Sequence, residues 1–236
     1  MRLTQLQFGS LLSYCPRGDS PELQLSKDVM RALKLDKFVE DPLVLMSRWV
    51  AQTIQQNISS LPFASFFQPD TILVPTPKSS LMQPNTLWVP ERIATALVEA
   101  GLGKEVVPCL VRVKSVSKAA LSPPQERPTA AEHYGSMSVQ KRLSQPGEIV
   151  LVDDIVTRGA THLGAANRLA DVFPQTRIRA FAAIRTISNP DEFSKVYDPC
   201  TGTITLRALG DTTETIASFP IKDPRCNKNR PNARAQ

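Results

Sequence analysis

The residues best suited to chemistry form one uninterrupted run, Val150-Leu151-Val152-Asp153-Asp154-Ile155-Val156-Thr157-Arg158-Gly159-Ala160-Thr161. An apolar stretch of strand type delivers two acids, and a short turn of hydroxyls and glycine then leads into a helical pattern. Carboxylates at the carboxyl end of a parallel strand lie in the crevice where open α/β sheets bind ligands, and they accept hydrogen bonds from vicinal hydroxyls. Asp153 and Asp154 therefore suit a sugar diol. Thr157, Arg158, Gly159, Ala160 and Thr161 would wrap backbone N–H groups and two hydroxyls around an anion at the positive end of the following helix. Gly159 would let the backbone approach closely where a side chain would block it. Strand, paired acids and phosphate cradle, in that order, describe a ribose 5-phosphate site. Paired aspartates after a strand also occur in receiver domains and phosphatases, where they bind magnesium and a phospho-acceptor acid. There the T-x-G-x-T turn does not follow in this register.

The run resembles the phosphoribosyl-pyrophosphate motif of the type I phosphoribosyltransferases. The resemblance implies that Asp153 and Asp154 hold the ribose hydroxyls and that Thr157 through Thr161 hold the 5-phosphate. It also implies Mg2+ as cofactor, reached by the two acids through ribose hydroxyls or water, so that no all-protein metal cage is expected. Arg158 stands where many members have Thr or Gly and adds positive charge beside the phosphate. A second stretch, Val74-Pro75-Thr76-Pro77-Lys78, resembles the pyrophosphate loop of the ComF-like branch. Thr76, Pro77 and Lys78 thereby become substrate-binding candidates, with Lys78 as the cation for a leaving diphosphate. A proline-rich turn with an exposed lysine accounts for the same residues equally well. The branch resemblance extends to Pro124, Gln125 and Arg127, which makes Arg127 the third catalytic candidate. The cysteine-rich zinc ribbon that often opens ComF-like proteins is missing, and the R-G-F-N-Q stretch is represented only by Gln83-Pro84-Asn85-Thr86-Leu87. The resemblance covers residues 71–186, about half the chain.

The elements that must position these groups are legible as periodicity. Short, almost wholly apolar runs at 72–74, 106–111, 149–152 and 178–184 alternate with amphipathic stretches at 89–100 and 161–173. The second of these repeats Leu163, Ala166, Leu169 and Phe173 and stops at Pro174. Strand, helix, strand repeated means a parallel sheet covered on both faces. The first sixty-odd residues look helical, with segments at 28–35 and 43–58 and Pro42 suited to a first helical turn. The expected fold class is therefore α/β, a parallel-sheet type I phosphoribosyltransferase core with an N-terminal helical hood and a C-terminal β-hairpin extension. The boundaries are a hood at 1–68, the core at 69–188, the hairpin at 189–221 around Leu209-Gly210-Asp211, and a basic disordered tail at 222–236.

Residues 114–136 are too long and too rich in proline and charge for an ordinary connection, which suggests a lid. Arg127 and His133, assisted by Lys114 and Lys118, could close over bound diphosphate; solvated loop charges are the competing account. His162 is expected to be exposed near the phosphate without direct chemistry. Gly101-Leu102-Gly103-Lys104 has the spacing of neither a dinucleotide fingerprint nor a Walker loop and reads as a helix C-terminal cap.

A chain of 236 residues with 42% hydrophobic and 21% charged content belongs to the globular class and excludes disordered and fibrous ones. No apolar run approaches the ~20 residues of a membrane helix, and the start lacks a leader pattern, so a soluble cytoplasmic protein is expected. Cys15, Cys109, Cys200 and Cys226 are scattered, with only His133 and His162 as possible imidazole ligands, which argues for reduced thiols rather than a zinc site. The net charge is +6, and residues 222–236 hold five cations against Asp223. That tail is either a solvated terminus or a nucleic-acid contact.

The expectation is an enzyme that moves ribose 5-phosphate from phosphoribosyl pyrophosphate to a nitrogen nucleophile, a nucleobase or an amine, with Mg2+-assisted release of diphosphate. The alternative is a non-catalytic binder, either a regulator sensing phosphoribosyl pyrophosphate or a ComF-like DNA-uptake accessory protein. The family resemblance also implies a homodimer.

Overall fold

The computed structural model describes residues 1–40, 43–117, 126–140, 144–207 and 211–217. In chain order its elements begin with β1 (Gln5–Tyr14), α1 (Pro21–Lys34), β2 (Phe38–Glu40), β3 (Leu43–Leu45), α2 (Met46–Asn57), β4 (Ile72–Pro75) and α3 (Val89–Glu99). They continue with β5 (Glu105–Val106), β6 (Leu110–Arg112), α4 (Ala130–Gly135), β7 (Met137–Val139), β8 (Glu148–Val156) and α5 (Ala160–Val172). The last are β9 (Arg177–Thr186), β10 (Tyr197–Leu206) and β11 (Thr212–Ile216).

Seven strands make one sheet in the order β11-β10-β1-β9-β8-β4-β5. Strands β1, β9, β8, β4 and β5 run parallel, and β10 and β11 extend the sheet antiparallel. The protein is thus α/β with a mostly parallel sheet, as its alternation of apolar runs and amphipathic stretches requires. Successive side chains of a strand point to opposite faces. In β8, Val150 and Val152 join one core layer with Phe63, Phe67 and Phe181, while Ile149 and Leu151 join the other with α5 through Leu163, Ala166 and Leu169. Burial on both faces is why this strand reads as a continuous apolar run.

Helix α3 ends as its sequence predicts. Gly101, at φ 76°, donates from its N–H to the Val98 carbonyl, and the Leu102 N–H bonds to the Leu97 carbonyl, both at 2.9 Å. Only glycine adopts this left-handed cap without strain.

The helical reading of the first sixty-odd residues is corrected by three strands, β1, β2 and β3. Residues 5–14 form β1, a strand inserted between β9 and β10. Gln5 and Gln7 are exposed while Leu6 and Phe8 are buried, a period of two that a helix does not produce. Gly9 lets this strand lie against Phe63, since a Cβ there would sit 2.7 Å from the ring's own Cβ. Residues 43–45 are strand β3 rather than helix, paired antiparallel with β2, and α2 starts at Met46. Pro42, expected in that first turn, lies outside the described residues. Helix α1 is helical as expected, with Ser20 capping its N-terminus and Pro21 in the first turn.

The single strand expected at 106–111 is two short ones: β5 joins the main sheet, and β6 pairs with β7 antiparallel. Pro108 separates them, and it has no N–H to continue a ladder. The long segment 114–136 ends in α4, closed by a capping box between Thr129 and Glu132. Lys118, Pro124 and Gln125 lie outside the described residues, as do Leu209, Gly210, the basic tail at 222–236 and Cys226. The C-terminal hairpin of β10 and β11 is continuous with the sheet through β1. Among the described residues no helix is long and apolar enough to cross a membrane.

Phe181 is fully buried, with ring centroids of Phe63 and Phe67 at 5.4 and 5.3 Å. Phe181→Ala is expected to cost about 3–5 kcal/mol of stability, read as a lowered urea midpoint. A change below about 1 kcal/mol would contradict this packing.

Candidate functional site

Parallel pairing sets the carboxyl end of β8 beside that of β4, with Pro75 opposite Val152. The Thr76 N–H donates to the Val152 carbonyl at 2.9 Å, which fixes the turn Thr76-Pro77-Lys78 next to Asp153. The turn is braced from both sides. Trp88 Nε1 donates to the Thr76 carbonyl at 2.8 Å, and Arg112 Nε donates to the Lys78 carbonyl at 2.9 Å. Lys78 Nζ rests on Thr86 Oγ1 at 2.9 Å.

The two acids come to one strand end but turn to different neighbours. Asp153 is 9% exposed, accepts from the Asp154 N–H at 2.9 Å, and faces His162, whose Nε2 is 3.5 Å from Asp153 Oδ2. Burial, then the Asp154 charge, pushes the Asp153 carboxyl well above the usual range, against the pull of the Thr76 hydroxyl and the Asp154 N–H. Asp154 pairs instead with Lys34 Nζ of α1 at 3.2 Å and accepts from the Ile155 N–H at 2.8 Å. The two carboxylates thus take different protein partners, because the pleat sends adjacent side chains to opposite faces.

The turn after β8 is held on its outer side. Thr157 is exposed, with its hydroxyl 3.1 Å from that of Thr186. Arg158 Nη1 donates to Asp211 Oδ1 at 2.7 Å. Gly159, the N-cap of α5, has φ 75°, and a Cβ on it would lie 2.5 Å from the Ile204 side chain of β10. The structure gives this glycine two further reasons: its backbone is left-handed, and Ile204 occupies the space a Cβ would fill. Ala160 is buried in the first turn of α5, and Thr161 Oγ1 lies 3.2 Å from His133 Nε2. No side chain caps α5 at Gly159. Its first-turn N–H groups are therefore left for other acceptors.

Both histidines depart from expectation. His162 is 2% rather than largely exposed, and His133 is 5% exposed on α4 instead of riding a lid. The cause is close helix packing, since a Cβ on Gly164 of α5 would sit 2.7 Å from the Ala130 carbonyl and from His133 Cβ. Burial pushes each imidazole down to about 4, with the Arg112 charge adding to the effect at His133. Arg127 is half-buried two residues ahead of the Thr129 cap; its neighbours Glu126 and Pro128 line a cavity of about 350 Å³ together with Lys114.

Lys34 and Arg112 were missed by sequence reasoning. Arg112 is 5% exposed, donates to Ser136 Oγ at 2.5 Å, and is drawn down to about 10 by burial, partly offset by Asp153. Neither residue has a local signal: Lys34 is 120 positions from its partner. Among the described residues no cluster of three or more His, Cys, Asp or Glu could hold a metal ion, and the buried Cys15, Cys109 and Cys200 form no disulfide.

No family model and no curated protein matches the chain. Solved structures of phosphoribosyltransferases do resemble it. A glutamic acid mutant from an analysis of an invariant aspartic acid in HPRTs is 16% identical, with a TM-score of 0.30 over 78% of this chain and 92% of that one. A ternary substrates complex of hypoxanthine phosphoribosyltransferase from Trypanosoma cruzi is 15% identical, with a TM-score of 0.31 over 78% of this chain and 92% of that one. A second T. cruzi structure, concerning the C-terminal region, is 15% identical with a TM-score of 0.30, covering 80% of this chain and 87% of that one.

Gly159→Ala is expected to cost about 2–4 kcal/mol, from left-handed strain and overpacking together. Adding Ile204→Ala should recover part of that loss in urea titrations, and strictly additive costs would refute the contact. His133 has a folded pKa of about 4 below its ordinary 6.5, so the unfolded chain binds the extra proton between those values. Its contribution to stability is complete above pH 6.5 and is lost as pH falls towards about 4. His133→Gln should flatten the loss by about 1.4 kcal/mol per pH unit across that window, and parallel curves for the two proteins would overturn the assignment.

Proposed function

We propose that the chain is a type I phosphoribosyltransferase that moves ribose 5-phosphate from phosphoribosyl pyrophosphate to a nitrogen nucleophile, a nucleobase or an amine. The observation that carries this reading is the carboxyl end of β8. Two adjacent acids stand there, and five residues after Asp154 the left-handed Gly159 opens α5 with its first N–H groups lacking a side-chain cap. Acids for a diol and amides for an anion follow one another at the spacing a ribose 5-phosphate needs.

Within this reading Asp153 and Asp154 accept from the ribose hydroxyls. Asp153 does so from its buried position and Asp154 from beside Lys34. The N–H groups and hydroxyls from Thr157 to Thr161 hold the 5-phosphate, and Arg158 adds charge. Thr76, Pro77 and Lys78 flank the diphosphate, and the placement of this turn beside Asp153 supports the ComF-like assignment. Arg127, on the segment entering α4, approaches the leaving group. Transfer passes through an oxocarbenium-like state, so the protein contributes positioning and charge rather than a covalent nucleophile.

The donor chemistry fits magnesium. Asp153 and Asp154 bring adjacent hard carboxylate oxygens to one strand end, and burial, then the Asp154 charge, holds the Asp153 carboxyl well above its usual range. When bound, Mg2+ would neutralise diphosphate oxygens while keeping much of its water. Asp153 and Asp154 would meet it through ribose hydroxyls or water.

Asp153→Asn combined with Asp154→Asn should abolish magnesium-dependent binding of phosphoribosyl pyrophosphate in calorimetric titration, with the melting temperature retained. Undiminished affinity in the double variant would refute the proposal. Release of diphosphate on adding candidate nucleobases and amines would identify the acceptor.

A further inference from the structure

At the opposite end of the sheet lies a cavity of about 350 Å³, formed where β1 and β9 begin and α5 ends. Its charged lining residues are Arg2, Arg177 and Arg179, and no acid lines it. Gln5, Gln7 and Thr176 add neutral polar groups. Gln7 and Arg179 each precede by one residue the paired Phe8 and Ala180, so the period of two puts them on one face, with Gln5 and Arg177 two residues further back on that same face.

The three arginines are not equivalent. The Arg179 side chain is only 3% exposed and forms a fixed wall. Its guanidinium donates to the Ser65 carbonyl at 2.6 Å and to Ser65 Oγ at 3.1 Å, lies 4.3 Å from the centre of the Phe66 ring, and is ion-paired with Glu148. Glu148 is therefore already committed. The buried Arg179 Nε has no hydrogen-bond partner among the described residues. Arg177 is exposed at the start of β9. Arg2 is 63% exposed, with its Nε 3.8 Å from Asp171, a separation worth little in water. The balance at the cavity is positive.

We infer that this cavity is a binding site for a phosphate-bearing small molecule, separate from the turn that follows β8. Arginine forks match phosphate oxygens in pairs, and the glutamine amides and a threonine hydroxyl supply further donors. The volume lies near the small end of ligand clefts, roughly 300–1,000 Å³. A concave pocket lined by cations and by no acid suits a compact anion better than a strand of nucleic acid, which calls for a basic stripe. The thirteen residues of α5 separate the cavity from the turn at Gly159 by about 20 Å. The site therefore stands whether or not the chain transfers phosphoribosyl groups.

The test uses the full chain and calorimetric titration at low salt with inorganic tripolyphosphate and, separately, adenosine monophosphate. Arg2→Gln combined with Arg177→Gln should weaken one binding event at least tenfold, with an unchanged melting temperature because both side chains are exposed. Lys78→Gln combined with Arg158→Gln should leave that event intact. Tighter binding of the monophosphate would identify a nucleotide and tighter tripolyphosphate a bare polyphosphate, and either supports the site. Equal binding by wild type and the Arg2, Arg177 variant, or no binding at all, overturns it. Capture of short single-stranded DNA but of neither small probe, lost in that same variant, would also overturn it and assign the surface to nucleic acid.

Discussion

A carboxyl group held almost out of water at the end of the central strand is the constraint around which the rest is arranged. Leaving Asp153 buried without partners would cost several kcal/mol, because an isolated charge loses its hydration. The structure surrounds it from every side: the Asp154 N–H from the strand itself, the turn after β4, His162 from α5, and the Arg112 charge from β6. The turn after β4 and Arg112 come from far along the chain, whereas Asp154 and His162 lie within nine residues of Asp153. Their common attachment to one strand end fixes the mouth of the sheet.

Two glycines set how tightly the surrounding layers close. Gly159 makes the left-handed step from β8 into α5 and lets β10 press Ile204 against the turn, while Gly164 lets α4 lie directly on α5. Through these contacts His133 and Thr161 meet, and a segment that looked like a free lid gains a rigid end. Closeness of backbone, rather than side-chain chemistry, thereby decides which groups meet beside the acids.

Parallel strands also give the molecule two chemically distinct ends. At the carboxyl ends, acids and uncapped amides face one region; at the amino ends, arginines line a cavity without an acid. The same strands and the same helix link both, so their separation follows from element length rather than from any local signal.

What the sequence by itself determined is what neighbouring residues decide among themselves. The run from Val150 to Thr161, the helix after it, the cap at Gly101 and the parallel alternation of strands and helices were all legible, since their signals lie within a dozen positions of one another. Only the tertiary structure decided which distant groups meet. Strand β1 was hidden because its partners are β9 and β10, more than 160 residues away, and only Gln5 to Phe8 alternate clearly. The Lys34 contact to Asp154, the approach of Arg112, the burial of both histidines and the Ile204 contact at Gly159 were likewise invisible, because composition does not reveal which face a side chain takes or what lies opposite it. Spacing along the chain encodes local geometry, whereas desolvation and charge pairing arise only when the layers close.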